Sequence, residues 1–159
     1  MAEILIVPFR RELAPAFQAL NLAWIERLFA VEDADRKVLG DPERAIIAPG
    51  GQIYFAMDAD LPVGTVAMLR QAPTRYELAK MAVAMTHQRR GIGELLGEAA
   101  IAFARDAGAD MVFLQTNSSL DGAIRLYERL GFRHAPDPDP PEYARADVYM
   151  ELPIGRTRS

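Results

Sequence analysis

The sequence predicts an α/β domain of the α+β type over residues 1–159, with helices flanking a mixed, mostly antiparallel sheet of six to seven strands. Three observations predict it. Short β-type runs alternate with amphipathic helical stretches. Two neighbouring β-type runs are joined by a short polar turn, which is typical of antiparallel strands. A strand, a long helix and another strand then follow, which predicts a parallel pair at the centre of the sheet.

The first half of the chain alternates β-type runs with helical periodicity. Apolar residues recur at helical spacing over residues 11–29, and Pro15 fits a first helical turn. The expected buried stripe of this helix is Leu13, Phe17, Leu20, Trp24 and Leu28. A short helical segment follows and is broken at Gly40 and Pro42. The β-type runs lie at residues 3–7, 50–57 and 62–70.

The second half contains the strand–helix–strand unit. Residues 75–84 and 109–116 are β-type and enclose a long helix that ends at Gly108. The expected buried stripe of that helix is Ile92, Leu95, Leu96, Ala99 and Phe103. A further helix is predicted to start at a capping-box-like pair, Ser118 with Asp121, and to end at Gly131. A proline-rich loop then leads to a final strand.

Composition and charge narrow the possible functions. The net charge of −4 argues against a nucleic-acid-binding protein, which would usually be basic. Apolar runs are too short to cross a bilayer and the N-terminus shows no signal-peptide pattern, so we expect a cytoplasmic protein with no membrane partner. The chain has no cysteine and only two histidines, which excludes thiolate chemistry and gives no indication of a metal site.

The stretch “QRRGIG” lies between a strand and the start of a helix and has the composition of an anion-binding loop. Backbone N–H groups at a helix N-terminus lack internal partners and attract negative charge. The two glycines permit close backbone approach, and the arginines and the glutamine add donors. A Rossmann motif would need a glycine at Leu96, and no P-loop motif is present. Taken alone, the loop predicts either a phosphate site or a tight turn with solvated arginines. Its residues are Gln88, Arg89, Arg90, Gly91, Ile92 and Gly93.

Two signatures together resemble the GCN5-related N-acetyltransferase (GNAT) family. The loop is similar to the family's Gln/Arg-x-x-Gly-x-Gly/Ala sequence. Residues 116–132, “TNSSLDGAIRLYERLGF”, resemble its second signature, an asparagine followed by Ala-x-x-Leu-Tyr-x-x-x-Gly-Phe. The order of elements agrees, and the match covers residues 62–134. The resemblance implies the GNAT fold, in which the central parallel strands splay apart and acetyl-CoA, the co-substrate, fills the gap without a metal.

Carried over by position, the resemblance implies roles for residues around this gap. The backbone amides of residues 88–93 would hold the pyrophosphate. Ala82 and Val83 would bond the pantetheine arm and the thioester carbonyl through their backbone, and Asn117 would reach the arm from the next strand. Relatives often carry a proline before the loop, where this chain has residues 85–87, “MTH”, so the entry into the loop is expected to differ.

Two side chains are candidates for proton transfer. Tyr127 stands where many relatives place a catalytic tyrosine and would protonate the departing thiolate, although helical spacing also assigns it to a packed stripe. Glu77 stands where the histone-acetyltransferase branch places its general base. An alkylamine is almost wholly protonated at neutral pH and needs a proton acceptor. The alternative for Glu77 is a surface carboxylate paired with Lys80 or Arg75, with a water chain as the base.

The resemblance implies an acetyl-CoA-dependent N-acetyltransferase that acts on a primary amine of a small molecule or peptide. Without cysteine there is no acyl-cysteine intermediate, so the transfer would be direct. Two alternatives stay open: a non-catalytic acyl-CoA-binding sensor or partner domain, and a nucleotide-binding α/β domain that the missing motifs disfavour. A homodimer is expected from family habit alone.

Overall fold

The part of the chain described by the structure, a computed structural model covering residues 3–139 and 141–155, contains seven strands in one sheet. The strands are β1 (Ile4–Pro8), β2 (Gln52–Asp58), β3 (Leu61–Ala72), β4 (Arg75–Val83), β5 (Met111–Thr116), β6 (Arg133–His134) and β7 (Val148–Pro153). The helices are α1 (Ala14–Leu28), α2 (Asp33–Gly40), α3 (Ile92–Asp106) and α4 (Asp121–Leu130). This confirms the predicted mixed α and β architecture, and β6 is a strand that the sequence did not indicate.

The sheet has the order β1-β2-β3-β4-β5-β7-β6, and its neighbouring strands are antiparallel except for β4 and β5. The predicted central parallel pair is therefore confirmed. The α3 helix connects these two strands and packs on one face of the sheet, where Leu96, Leu78 and Leu114 belong to one buried cluster. The α1 helix packs on the opposite face through a second cluster that includes Phe17 and Phe55.

The parallel strands pair over three residues only, from Arg75 opposite Met111 to Glu77 opposite Phe113. Beyond that point β4 continues to Val83 along β3, and β5 continues to Thr116 along β7. The two strands therefore separate and leave a gap at the centre of the sheet.

A β-bulge shapes the β4 side of the gap. Thr65 pairs with Ala82 and Ala67 pairs with Ala79, so one residue of β3 faces two residues of β4. Lys80 is one of these two β4 residues, and its φ of 55° lies in the left-handed region. Such a conformation costs a non-glycine residue roughly 1–2 kcal/mol, so the surrounding contacts must hold Lys80 in place.

Some predicted local features differ from the structure. Leu13 and Phe17 are buried as expected, but the buried face of α1 continues through Asn21 and Ile25 rather than through Leu20, Trp24 and Leu28. On α3 the side chain of Leu95 is 42% exposed, because the buried face turns toward Gly97 and Ile101 instead.

The predicted capping box of α4 is not formed. The N-cap residue is Leu120, and Ser118 instead donates hydrogen bonds from its backbone nitrogen and its hydroxyl to Asp147, 29 residues away. The expected helix ends are confirmed: Gly108 and Gly131 follow α3 and α4 with φ of +90° and +106°.

Candidate active site

The gap between β4 and β5 opens into a cavity of about 230 Å³. Its walls come from the splayed strands, the first turns of α4, the end of α1 and the segment that precedes β7. Its lining residues are Trp24, Leu28, Phe29, Glu77, Leu78, Ala79, Lys80, Met81, Ala82, Val83, Gln88, Gln115, Thr116, Asn117, Leu120, Ala123, Tyr127, Tyr143, Arg145 and Ala146.

A second, more open groove of about 850 Å³ runs along the start of α3 and contacts the first cavity. The predicted loop residues Gln88, Arg89, Gly91, Ile92 and Gly93 line this groove, whereas Arg90 is exposed and does not line it. The cavity and the groove share their lining at Val83, Gln88, Leu120 and Ala123. Together they form one channel that leads from a helix N-terminus to the interior of the sheet.

The start of α3 has the geometry of an anion site. Gly91 is the N-cap residue with φ of +75°, and no side chain caps the first N–H groups of the helix. These donors and the positive end of the helix dipole favour a phosphate group. A side chain at Gly93 would place its Cβ 2.9 Å from Leu126, so this glycine allows α3 to approach α4 closely.

The end of β4 presents backbone groups to the gap. The N–H of Ala84 donates to the carbonyl of Val63 on β3 at 2.8 Å. Because successive residues of a strand point their backbone groups to opposite sides, the N–H of Val83 faces the gap. The Gln88 side chain donates from Nε2 to the carbonyl oxygen of Val83 at 3.1 Å, so this amide fixes the strand end.

Glu77 is a buried carboxyl group in the wall of the cavity, with 8% of its surface exposed. Its Oε1 accepts a hydrogen bond from Nε2 of Gln71 at 2.7 Å. Burial raises the pKa of Glu77 to about 7, and the charge of Glu142 adds to this shift. The Gln71 hydrogen bond and the charges of Lys80 and Arg75 oppose it. Glu77 therefore titrates near neutral pH.

The alternative pairing of Glu77 with Lys80 or Arg75 is not formed. Nζ of Lys80 contacts Oδ1 of Asp35 at 2.7 Å, and Arg75 donates to the hydroxyl of Tyr149 at 2.9 Å. Glu77 is therefore a buried acid held by a neutral amide, which is the environment of a group that can accept a proton near pH 7.

Tyr127 lines the cavity from α4, across the gap from β4. Its ring packs edge-on against Phe132 with centroids 6.2 Å apart, so the side chain is also part of the packed helix face. Burial raises the pKa of Tyr127 to about 12, which keeps the phenol protonated at neutral pH.

Asn117 lines the cavity, but its side-chain amide already has partners within the protein. Nδ2 donates to the carbonyl oxygen of Arg145 at 2.6 Å, and Oδ1 accepts from the backbone nitrogen of Ser119 at 2.9 Å. Asn117 therefore fixes the turn between β5 and α4 and the segment before β7.

A buried ion cluster beside the cavity has no counterpart in the sequence interpretation. Asp35 of α2 accepts hydrogen bonds from Lys80 and from both terminal nitrogens of Arg145, at 2.6 to 2.9 Å. Burial alone would raise the pKa of Asp35, but these bonds outweigh it and hold that pKa well below its usual range. Arg145 also contacts Glu32, and both cations lie over the ring of Tyr143.

The cluster joins residues that are 45 and 110 positions apart, so no local sequence pattern indicates it. It fastens the segment around Arg145 to α2 and β4 and thereby fixes one wall of the cavity. Among residues 3–139 and 141–155, no group of three or more acidic or histidine side chains is placed to hold a metal ion. No helix within those residues is long and apolar enough to cross a membrane.

Comparison with known proteins assigns the chain to a family. Residues 11–132 match the acetyltransferase (GNAT) family, so the chain belongs to it. An uncharacterised N-acetyltransferase of Bacillus subtilis strain 168, YvbK, is 31% identical over 102 residues, which are 62% of this chain and 66% of that protein. Among the first curated relatives, the chain spans between 44% and 66% of their length.

Solved structures agree on the fold. A GNAT-family acetyltransferase from Staphylococcus aureus Mu50 superimposes with a TM-score of 0.88 at 21% identity, over 96% of this chain and 100% of that one. YncA from Salmonella typhimurium, solved with its cofactor acetyl-CoA, gives a TM-score of 0.77 at 18% identity, over 98% of this chain and 96% of that one. These likenesses confirm the predicted GNAT fold.

Proposed function

We propose that this protein transfers the acetyl group of acetyl-CoA directly to a primary amine of a small molecule or peptide. The observation that carries the proposal is the single channel that joins the N-terminus of α3 to a buried cavity with Glu77 and Tyr127 in its walls. A long ligand with phosphates at one end and a thioester at the other fits that shape. Solved relatives bind acetyl-CoA or CoA, which supports the same ligand.

In this proposal the helix N-terminus at Gly91 holds the pyrophosphate and the arm lies in the gap beside Ala82 and Val83. The N–H of Val83 donates to the thioester carbonyl oxygen and stabilises the negative charge that develops there. Asn117 acts by holding the far wall of the gap, because its own amide is engaged by Arg145 and Ser119.

Glu77 accepts a proton from the incoming ammonium, directly or through a water molecule. With a pKa of about 7, Glu77 is partly ionised at neutral pH, and its carboxylate form is able to accept the proton. The neutral amine attacks the thioester carbon, the new C–N bond forms and the C–S bond breaks. The amine loses its second proton as the acetamide forms, and that proton replaces the one that Tyr127 gives to the sulfur, so the N-acetylamine, the CoA thiol and protonated Glu77 result.

Tyr127 donates its hydroxyl proton toward the departing sulfur. A phenol of pKa about 12 is a weaker acid than an exposed tyrosine. However, burial also raises the pKa of a thiol, because it disfavours the charged thiolate. Burial thus raises both pKa values, and the hydrogen bond from the Tyr127 hydroxyl stabilises the sulfur as its negative charge develops.

The test compares Glu77→Gln and Tyr127→Phe with two control variants outside the cavity, Glu98→Gln and Tyr54→Phe. Loss of a general base or acid is expected to lower kcat/KM for amine-dependent thiol release by roughly 10²–10⁴-fold, with CoA affinity retained. The controls are expected to keep wild-type rates. Full activity of Tyr127→Phe would remove the acid role, and full activity of Glu77→Gln would favour a water chain as the base.

A further inference from the structure

The end of the cavity remote from the anion site combines an apolar wall with protein cations. Glu77 lies in the part of β4 that still pairs with β5, before the bulge at Lys80, whereas Val83 lies at the open end of the gap, so Glu77 marks the end remote from the anion site. We call it the acceptor end, lined by Trp24, Leu28, Phe29, Glu77, Lys80, Tyr143 and Arg145. Its aromatic side chains lie around the charged groups of Lys80 and Arg145, and Leu28 adds an aliphatic side chain.

The negative charges that balance these cations do not line the cavity. Asp35 has no exposed side-chain surface and accepts hydrogen bonds from both Lys80 and Arg145, so it is fully engaged. Glu32 contacts Arg145 at 3.3 Å from outside the lining. Among the lining residues that the structure describes, Glu77 is the one carboxyl group.

The aromatic faces at the acceptor end are also occupied by protein cations. The ring of Tyr143 lies 4.3 Å from Nζ of Lys80 and 4.5 Å from the guanidinium carbon of Arg145. That same carbon lies 5.9 Å from the rings of Trp24 and Phe29. An additional ligand cation would therefore compete with two charges that already use these rings.

From this arrangement we infer that the acceptor is a monoamine with an apolar alkyl or arylalkyl body, and not a polyamine or an aminoglycoside. The inference rests on the proposed function and deepens it. The single amine lies between Glu77 and the thioester carbon beside Val83, and the apolar body contacts Trp24, Leu28 and Phe29. A second ammonium would lose its water shell beside Lys80 and Arg145, whose carboxylate partners Asp35 and Glu32 are already engaged, and the lining offers it no carboxylate besides Glu77.

Exposed acidic residues near the mouth do not change this conclusion. Glu142 is exposed and does not line the cavity; its charge adds to the raised pKa of Glu77, but an ammonium paired with it would lie at the mouth and not inside. Asp137 accepts a hydrogen bond from Gln115 at 2.8 Å and is engaged there. These carboxylates are able to attract amines in general, but they do not select for a second charge inside the cavity.

The first experiment compares hexylamine with 1,6-diaminohexane, which have the same chain length and differ by one ammonium group. We expect kcat/KM for hexylamine to be at least about tenfold higher, equivalent to about 1.4 kcal/mol, although the diamine has two reactive ends. A diamine that reacts as well as hexylamine, or better, would overturn the inference while leaving the transferase intact. Absence of thiol release with every amine tested would overturn the proposed function itself.

A second experiment tests whether a carboxylate placed in the cavity wall changes the preference between the diamine and hexylamine. Leu28 is 49% exposed at the end of α1 and lines the cavity, so a polar side chain is tolerated there. Leu28→Glu supplies a carboxylate for the distal ammonium, and Leu28→Gln is the matched neutral control. The ratio of kcat/KM for diamine over hexylamine is expected to rise about tenfold in Leu28→Glu relative to Leu28→Gln, with equal CoA affinity. Identical ratios in the two variants would contradict the assignment of this wall to the acceptor.

Discussion

Glu77→Gln is expected to stabilise the protein increasingly as the pH rises. Burial raises the pKa of Glu77 from an ordinary 4.5 to about 7, so the folded protein holds this proton more tightly than the unfolded chain does. The stabilising contribution of Glu77 is therefore complete below pH 4.5 and is lost as the pH rises through 7. At about 1.4 kcal/mol for each pH unit between the two values, the loss is about 3 kcal/mol.

Glutamine does not titrate, so the difference between the unfolding free energies of Glu77→Gln and wild type isolates this one group. The assay is urea denaturation of both proteins at several values between pH 4.5 and 8.5, with Glu98→Gln as the control for removal of one exposed negative charge. The advantage of Glu77→Gln is expected to grow by about 3 kcal/mol over this range and then level off. Parallel pH curves for Glu77→Gln and wild type would refute the raised pKa.

Three further perturbations test other parts of the site. Gln71→Leu removes the donor that favours the carboxylate of Glu77, so the acid limb of kcat/KM is expected to move to higher pH; an unmoved limb would argue against this contact. Gly91→Ala and Gly91→Glu both strain a residue with φ of +75°, but only the glutamate is expected to weaken CoA binding strongly in calorimetry. Asp35→Asn leaves two buried cations poorly compensated and is expected to lower the free energy of unfolding by about 3–5 kcal/mol in urea, whereas a near-neutral effect would mean that the cluster does not fasten the wall.

The fold was predictable because its signals are local. The order of strands and helices follows from periodicity, and the helix ends follow from glycines such as Gly108 and Gly131 that adopt positive φ. In the loop before α3, Gly91 adopts a φ of +75°, which favours glycine, so the position of this glycine in the motif follows from the backbone conformation. The face of α1 that is buried was harder to predict from the sequence. Leu20 and Leu28 are apolar but do not belong to the buried face. Asn21 is polar but is buried, and its side-chain amide donates to the carbonyl oxygen of Phe17.

The acceptor side of the site depends on long-range contacts and was not predictable. Sequence proximity makes Lys80 a candidate partner for Glu77, yet Lys80 donates a hydrogen bond to Asp35, 45 residues away. Arg145 reaches the same carboxylate across 110 residues, from a loop whose composition shows only proline and charge. A pattern of neighbouring residues does not encode such pairs, because the sheet topology brings them together.

The most direct test of the central proposal is release of free CoA thiol from acetyl-CoA, measured with and without a panel of amines, together with mass spectrometry of the products. The proposal predicts that thiol release depends on the amine, that N-acetylamine forms in equal amount to the thiol, and that no acetylated protein accumulates. Tight CoA binding without acetylation of any amine would contradict it and would favour a non-catalytic acyl-CoA-binding domain.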